Sequence, residues 1–380
     1  MTRYGGLPSP ALERSHVAVR ATAHISKLSC DARAKRNGWL LASLIAAASS
    51  LPNLSYGQLA GPQVGEVVPR DIREMYERGL RYLAEAQTEA GDWREGQNGP
   101  GVTGLCLMTF LASGEDPNFG VYSNHIRKAL RSIIKGQNAD TGYFGNSMYH
   151  HGFAMLGLAE AYGAVDDRNL WASGSEGPKR SIGAALELSV RAAVTSQKKN
   201  QYGGWRYSPN STDADTSVSG AVLVGLLAAR NAGIEVPDES IDRAVAYYVA
   251  MTSDSGHVAY SGGMGGMGES LARTSIGAVV YAVARRKDLP QYEATLTSLK
   301  GRLEQPASSY RDYTRYYQAQ ALYQGDLEAW KKWNRLLVRQ LKKEQLPDGS
   351  FPGDMGKSVG TAMSLLSLAL NYRLLPIYER

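Results

Sequence analysis

The stretch QTEAGDW, residues 87–93, separates two segments of different composition, and the fold can be worked out from it. The segment before it, 71–87, carries charged residues on one face, which is typical of an amphipathic helix that faces water on one side. The segment after it, beginning GVTGLCLMTFL at residue 101, is small, apolar and uncharged. The stretch is therefore predicted to be a turn that joins a half-exposed helix to a buried one.

The same unit of charged helix, turn and uncharged helix recurs along the rest of the chain. Clear copies are HIRKALRSIIKGQ followed by HHGFAMLGLAEAYG, and IGAALELSVRAAVTSQ followed by SVSGAVLVGLLAARNAG. Three weaker copies begin near residues 241, 291 and 330. Six helix pairs at a spacing of about 50 residues indicate a repeat architecture that covers residues 71–380.

The contrast between the two helices of each pair predicts two concentric layers. A helix that is apolar all round must be buried, whereas an amphipathic helix has one face in water. The second helices would then form an inner ring and the first helices an outer ring. An open solenoid is the alternative arrangement of such pairs. Closure is favoured because inner helices this apolar need cover on every side, and the predicted fold class is an all-α α/α toroid of six helix pairs.

At this point the turns carry a resemblance to a known family. Gln87, Gly91 and Trp93, like Gln345, Gly349 and Phe351, match the QxxxGxW turn of the squalene cyclase and prenyltransferase repeat family. The turns at 137–144 and 197–205 are longer, and two further copies are degenerate. The segment 316–337 is similar to bacterial squalene-cyclase-like proteins. The resemblance implies a terpenoid-cyclase-like toroid with a central cavity, in which the residues of these turns are structural: Gln87, Trp93, Gln345 and Phe351.

In a toroid all inner helices run in the same direction, so their N-termini meet at one mouth. Their free N–H groups add partial positive charge there, which suits a polar or anionic head group, and the tube below suits an apolar tail. The mouth is where a ligand site is expected. The residues predicted to line it are His150, His151, Trp205, Tyr207, Arg273, Tyr313, Tyr316 and Lys357.

Asp213 and Asp215 precede the third inner helix and are the candidates for acid chemistry. The resembled cyclases protonate an alkene or epoxide with the middle acid of a DxDD-T pattern, and that acid must be kept protonated. Aligning Thr216 with the family threonine puts Ala214 at the donor position, whereas a shifted alignment makes Asp215 the donor and loses the third acid. Three roles stay open for Asp215: a helix cap, which is favoured, a ligand group, or the catalytic acid.

Neither a metal nor a cofactor is predicted. The neighbouring His150 and His151 have no cysteine near them, and only two cysteines, Cys30 and Cys106, occur in the chain, which excludes a cysteine-rich metal site. The segment 263–268 satisfies GxGxxG but follows a helix rather than a strand, so it is predicted to be a mobile loop near the mouth instead of a dinucleotide site.

The basic charge of the chain is concentrated at its start. The whole sequence has a net charge of +6, but residues 1–57 hold seven basic and two acidic residues, leaving 35 basic and 34 acidic ones. The remainder therefore has no electrostatic footprint for nucleic acid. Basic residues followed by the apolar run 39–48 predict a signal peptide over 1–57 and a linker over 58–70, and a buried N-terminal helix is the alternative.

These observations lead to one favoured function and two alternatives. The favoured one is an exported toroid, periplasmic or extracellular, that binds a hydrophobic molecule, an isoprenoid among the candidates, or a peptide, without working cyclase chemistry. The alternatives are a terpenoid cyclase that uses Asp215 with Asp213, and a protein-interaction scaffold. A peripheral contact with a membrane is a further expectation, and the oligomeric state is left open.

Overall fold

The computed structural model describes residues 68–171, 179–261, 270–306 and 310–378. Within these ranges the chain forms twelve α-helices and a short 3₁₀ turn, together with two isolated β-bridges and no strand. The all-α prediction is confirmed. The predicted signal peptide, most of the predicted linker and the glycine segment 263–268 lie outside the described residues.

The helices alternate along the chain between an outer and an inner layer. The outer helices are α1 (Arg70–Ala86), α3 (Ser123–Lys135), α5 (Ile182–Lys198), α7 (Asp238–Met251), α9 (Pro290–Lys300) and α11 (Leu327–Glu344). The inner helices are α2 (Pro100–Leu111), α4 (Met148–Ala161), α6 (Thr216–Asn231), α8 (Leu271–Val283), α10 (Arg311–Gly325) and α12 (Lys357–Ala369).

Burial separates the two layers as the composition predicts. Every residue of α12 from Ser358 to Ala369 is buried, whereas α1 buries a single stripe that includes Ile72, Met75 and Leu83. Small residues let the inner helices approach closely: a Cβ placed on Gly157 of α4 would lie 2.9 Å from the Cα of Gly104 on α2. A larger side chain at either position would push these two helices apart.

The inner helices form a closed ring. Each contacts the next in the order α2, α4, α6, α8, α10 and α12, and α12 in turn contacts α2, while α1 packs against α12. The open solenoid is therefore ruled out. Ring closure places α4 opposite α10, which decides what fills the axis of the molecule.

The glutamine turns join neighbouring outer helices. The Gln87 amide nitrogen donates to the carbonyl of Gly91 in its own turn, at 3.1 Å, and to that of His125 on α3, at 3.0 Å. Gln345 does the same towards Gly349 and Met75, both at 2.9 Å, and so links the last turn back to α1. Gln137 and Gln197 repeat this pattern towards α5 and α7.

The aromatic residue of each turn is buried beneath the turn. The Trp93 indole N–H donates to the Leu83 carbonyl at 2.8 Å, and Phe351 is 1 % exposed. Trp205 has the same geometry, since its indole N–H donates to Ala193 at 2.9 Å. The prediction that Trp205 lines the ligand cavity is wrong, because the longer turn still uses this residue as its buried aromatic anchor.

The C-terminal segment closes the end of the ring opposite the mouth. After α12 the chain crosses beneath the inner helices, and its 3₁₀ turn, Pro376–Tyr378, contacts α6 on the far side. Leu375 and Ile377 are buried there. The C-terminal segment therefore covers the ring at the C-terminal ends of its inner helices.

Candidate functional site

A cavity of about 760 Å³ opens at the mouth of the ring. Its wall is built from residues at or just before the N-termini of all six inner helices, which is where the sequence predicts a site. The wall is formed by Gln97, Asn98, Asn146, Ser147, Tyr149, His150, Tyr207, Ser217, Tyr260, Ser270, Leu271, Ala272, Arg273, Tyr310, Tyr313, Thr314 and Met355. Among these described residues only Leu271, Ala272 and Met355 are aliphatic, and none is a carboxylate.

His150 is the wall residue with the best-defined chemistry. Its Nδ1 accepts the backbone N–H of Gly101 at 3.3 Å, so the ring proton of the neutral form lies on Nε2. Burial lowers the pKa of His150 below its usual value, which favours the neutral ring. The imidazole therefore offers a ligand an N–H donor and carries no charge near neutral pH.

Arg273 contributes the cationic charge of the wall. Its Nε donates to the Val258 carbonyl at 3.0 Å, and its guanidinium lies 5.9 Å from the centre of the Tyr260 ring. Arg206 approaches the same ring, at 5.7 Å, and the Tyr207 hydroxyl lies 3.5 Å from that of Tyr260. Burial lowers the pKa of Arg273, but an arginine stays protonated under all ordinary conditions.

Aromatic side chains fill the axis below the mouth. Tyr149 of α4 and Tyr313 of α10 meet across the ring with their centres 6.0 Å apart. One turn deeper, Phe153 and Tyr316 meet at 6.3 Å, and Tyr316 packs against Tyr317 at 4.8 Å. The expected apolar tube is therefore occupied by side chains, because the tyrosines of α10 are long enough to reach α4. The ligand space is confined to the mouth.

Asp215 lies behind the wall of the cavity and caps α6. Its Oδ1 accepts the Val218 N–H at 2.8 Å, and the residue has no exposed surface. Burial raises the pKa of Asp215 to about 6, although the N–H bonds of the helix start and the Arg206 charge act in the opposite direction. The cap does not hold this carboxylate at a low pKa, as a solvated cap would, because desolvation outweighs the N–H bonds that the carboxylate accepts. Its other oxygen, Oδ2, has no hydrogen-bond partner among the described residues.

Asp213 is separated from Asp215 both in environment and in role. Its carboxylate forms an ion pair with Arg206 at 2.9 Å and is more than half exposed. Asp213 therefore faces Arg206 and solvent whereas Asp215 is buried, although the Asp213 charge, after burial, also acts to raise the pKa of Asp215.

Three other residues predicted for the mouth lie elsewhere. His151 is fully buried: its Nδ1 accepts the Phe144 N–H and its Nε2 bonds to the Ser189 carbonyl at 2.9 Å, so it anchors a turn. Tyr316 lies in the aromatic axis below the cavity. Lys357 is half-buried and pairs with Asp348 at 3.2 Å. Of the predicted set, His150, Tyr207, Arg273 and Tyr313 reach the cavity.

The wall residues that the sequence analysis missed come mostly from the turns before the inner helices. Gln97 and Asn98 precede α2, Asn146 precedes α4, Tyr260 precedes α8 and Met355 precedes α12. Apart from Met355, they share one signal: each is a polar or aromatic residue two to eleven positions before an inner helix. That signal becomes visible only when the helix boundaries are known.

No group of three or more His, Cys, Asp or Glu side chains in the described part of the chain is placed to hold a metal ion. Over the same residues, no helix has the length and apolar character needed to cross a membrane.

The architecture is shared with solved proteins of very different chemistry. The α-1,6-mannanase GH76A of Salegentibacter sp. HEL1_6, in an inactive variant bound to α-1,6-mannotriose, aligns over 80 % of this chain and 99 % of its own, with a TM-score of 0.60 and 10 % identity. The type II terpene cyclase MstE from Scytonema aligns over 80 % and 99 %, with a TM-score of 0.52 and 18 % identity. The fold is an α/α toroid.

At these identities the likeness establishes the fold of the chain and leaves its chemistry open. No protein-family model matches the sequence, and no curated protein matches it. The family 76 glycoside hydrolase (mannosidase) Bt3792 from Bacteroides thetaiotaomicron also aligns, over 79 % of this chain and 98 % of its own, with a TM-score of 0.55 and 10 % identity. The toroid is thus a shared scaffold, and function has to be argued from the mouth cavity.

Proposed function

We propose that this protein is an exported ligand-binding toroid that holds an amphipathic molecule in its mouth cavity and does not catalyse cyclisation. The observation that carries the proposal is the cavity itself, an open space of about 760 Å³ at the mouth above a filled aromatic axis. Cavities of this size that combine aromatic surface with a few fixed polar groups are the usual sites for small ligands.

The composition of the wall supports an amphipathic ligand over a purely hydrocarbon one. Tyr149 and Tyr313 form a floor of aromatic faces, which suits an apolar or planar group. Arg273 and the Nε2–H of His150 supply donors around it, which suits a hydroxyl, carbonyl or carboxylate head. A long saturated tail has no tube to enter, because the axis below is occupied.

The described wall of the cavity exposes no acid that could start a cyclisation by protonating the substrate. An alkene-protonating acid must touch its substrate, and Asp215 has no exposed surface. No carboxylate is found among the described wall residues to replace it. The raised pKa of Asp215 follows from burial, which is the same property that removes it from contact with a ligand.

A glycan is the second candidate ligand. The wall is rich in tyrosine faces, amides and hydroxyls, which stack on and hydrogen-bond to sugars, and the mannanase GH76A has the same fold. The mannanase variant bound to α-1,6-mannotriose carries two substituted adjacent aspartates and is inactive. Without a carboxylate on the described wall, this candidate is binding of a glycan rather than its hydrolysis.

Direct binding measurements on the purified full chain test the proposal. Native mass spectrometry and solvent extraction would reveal a co-purified molecule. Thermal-shift titration with geranic acid, a short isoprenoid with a carboxylate head, and with α-1,6-mannotriose would separate the amphipathic ligand from the glycan. A protein that takes neither but captures an extended peptide would favour the scaffold alternative. Cyclic product from squalene that disappears in Asp215→Asn would overturn the non-catalytic proposal.

Two tyrosine variants provide a matched control for the site of binding. Tyr207 lines the cavity and Tyr202 does not, although both side chains are about half exposed. We expect Tyr207→Ala to weaken binding at least about fivefold, since a buried aromatic contact contributes about 1 kcal/mol, and Tyr202→Ala to leave it unchanged. Equal effects of the two substitutions would place the ligand outside the mouth.

The exported location rests on the sequence of residues 1–57. The measurement that checks it is the mass of the mature protein from its native host together with cell fractionation. We expect an N-terminus near Gln58 and recovery from the envelope or medium. A full-length chain in the cytosol would contradict export without affecting the binding proposal.

A further inference from the structure

Asp215 lies directly behind the wall of the mouth cavity. Its main chain forms a β-bridge with Ser261, and the N–H of the next residue, Thr216, donates to the carbonyl of Tyr260 at 2.9 Å. Tyr260 and Ser217 are both wall residues. Asp215 is therefore within two residues of the wall along its own segment and next to it across the bridge.

The carboxylate of Asp215 is poorly compensated at this position. The residue has no exposed surface, so water does not solvate its charge. Oδ1 accepts the Val218 N–H at 2.8 Å, but Oδ2 has no hydrogen-bond partner among the described residues. A buried charge of this kind responds strongly to any other charge that is brought near it.

We propose that the mouth binds an anionic head group and that Asp215 takes up a proton when the anion binds. The inference rests on the ligand-binding function proposed above and adds to it the charge of the ligand and its dependence on pH. Arg273 is the cation of the described wall and no carboxylate lies beside it there, so the wall itself favours an anion. An ionised Asp215 behind the wall repels that anion, and a protonated Asp215 does not.

The groups around Asp215 do not cancel this repulsion. Arg206 is the cation that acts on Asp215, but it pairs with Asp213 at 2.9 Å, and the charge of Asp213 acts in the opposite direction. Arg273 of α8 approaches from the wall, 5.9 Å from the centre of the Tyr260 ring. The other titratable groups that face Asp215 are tyrosines whose pKa is raised by burial, so they are uncharged: Tyr149 of α4, Tyr207 of its own segment, and Tyr247 and Tyr248 of α7.

The charge of Asp215 reaches the wall of the cavity. Burial is the main cause that raises the pKa of the wall residues Tyr149 and Tyr207, and the negative charge of Asp215 adds to the rise in both. An anion bound on the same wall acts on Asp215 in the same way and raises its pKa further. Burial has already raised that pKa to about 6, so the additional rise falls near neutral pH.

The sign of the pH dependence follows from reciprocity. If the bound anion makes Asp215 hold its proton more tightly, the protonated protein must hold the anion more tightly by the same factor. Binding of an anion should therefore strengthen as pH falls from about 7.5 to about 5, with uptake of a proton near pH 6. An uncharged ligand should show neither effect.

Titration calorimetry on the full chain tests the coupling. Octanesulfonate is the probe, because its head group stays anionic over this pH range, and octanol is the uncharged comparison. We expect octanesulfonate to bind at least about fivefold more tightly at about pH 5 than at about pH 7.5, and octanol to bind equally at both. Repeating the titration near pH 6 in two buffers of different ionisation enthalpy measures the protons taken up.

Three variants assign the proton to its residue. Asp215→Asn keeps an acceptor for the Val218 N–H, so it should take up no proton and bind octanesulfonate at least about fivefold more tightly than wild type at about pH 7.5. A merely structural role of Asp215 predicts weaker binding instead. Asp213→Asn removes the same charge two residues away, outside the wall, and should retain proton uptake. His150→Gln removes the histidine of the wall and should also retain it, although binding weakens.

The outcomes separate this inference from the function on which it rests. Octanesulfonate binding without proton uptake, or uptake that persists in Asp215→Asn, would overturn the inference and leave the binding function in place. The same holds if octanol or α-1,6-mannotriose binds and octanesulfonate does not. If none of the three probes binds at any pH, the mouth is not the ligand site, and the proposed function and this inference both fail.

Discussion

At the scale of single residues, Asp215 combines two properties that the sequence analysis treats as opposed, a helix cap and a carboxyl group with a raised pKa. As a cap it accepts the Val218 N–H, and as a buried acid it has a raised pKa of about 6. The cap geometry and the raised pKa coexist because desolvation outweighs the stabilisation by the helix start. A raised pKa alone therefore does not identify a catalytic acid.

Two substitutions of Asp215 separate the contribution of its capping hydrogen bond to stability from the contribution of its negative charge. Asparagine retains an oxygen acceptor for the Val218 N–H, whereas alanine does not. We expect Asp215→Ala to be less stable than Asp215→Asn by about 1 kcal/mol, the usual contribution of a cap. Urea denaturation of both variants at pH 7 measures the difference. Equal stability of the two would show that the hydrogen bond contributes nothing.

The raised pKa of Asp215 predicts a pH dependence of stability. Between its usual pKa of 3.8 and its folded value of about 6, the folded state binds the proton more tightly than the unfolded state. The free energy of unfolding should therefore fall as pH rises from about 4 to 6, by up to about 3 kcal/mol from this residue. The wild-type curve minus that of Asp215→Asn isolates the effect, and parallel curves would refute it.

At the scale of the element, the turn between the two helices of a pair is the unit that determines the ring. Its glycine adopts a positive φ, 75° at Gly142 and 88° at Gly91, and sits against a carbonyl of the next outer helix. Its glutamine bonds to the same helix. Each turn thus joins its own pair to the next one, and a sequence with these turns has a preferred spacing between pairs.

Two glycines in one turn, Gly142 and Gly145, both have a positive φ, but only Gly142 packs closely against the next outer helix. Comparing them separates the energetic cost of the close packing from that of the backbone conformation. A Cβ on Gly142 would overlap the Leu188 carbonyl, whereas one on Gly145, with φ of 86°, would meet nothing within 4 Å. We expect Gly145→Ala to cost about 1 kcal/mol from conformation alone, and Gly142→Ala to cost at least about 2 kcal/mol more. Chemical denaturation gives both values. Equal costs would mean that α5 moves away freely.

At the scale of the whole molecule, closure of the ring depends on contacts that join the two ends of the repeat array. Gln345 bonds to Met75, the Arg78 guanidinium donates to the Leu346 carbonyl at 2.8 Å, and α12 packs against both α1 and α2. The bonds at this junction are the same as those inside the array. The ring should therefore unfold as one cooperative unit.

Comparing two glutamines tests whether the closing junction is as strong as the others. Gln345→Ala removes two hydrogen bonds at closure, and Gln197→Ala removes the matching two between α5 and α7. We expect each to lower the free energy of unfolding by roughly 2 kcal/mol, at about 1 kcal/mol for each bond. Far-ultraviolet circular dichroism and tryptophan fluorescence should report one transition. A much smaller effect of Gln345→Ala would indicate a frayed closure.

The sequence by itself determined the architecture. Periodicity and composition distinguish buried from half-exposed helices, and the recurring Gln, Gly and aromatic residues mark the turns, so six helix pairs and a closed ring could be predicted. A cavity lies at the end of the ring where the sequence places the ligand site, with His150, Tyr207, Arg273 and Tyr313 on its wall, and its role as that site stays a prediction. These inferences succeed because helix burial and turn conformation are local properties of a few neighbouring residues.

Only the tertiary structure decided what occupies the centre. Whether the axis is hollow depends on how far the side chains of α4 and α10 extend towards each other. Phe153 of α4 and Tyr316 of α10, which are more than 150 positions apart in the sequence, meet there and fill the space. The same applies to Trp205 and His151, which sequence spacing placed at the mouth and packing placed beneath the turns. The direction of a side chain across a ring is set by packing between distant segments, which no local pattern encodes.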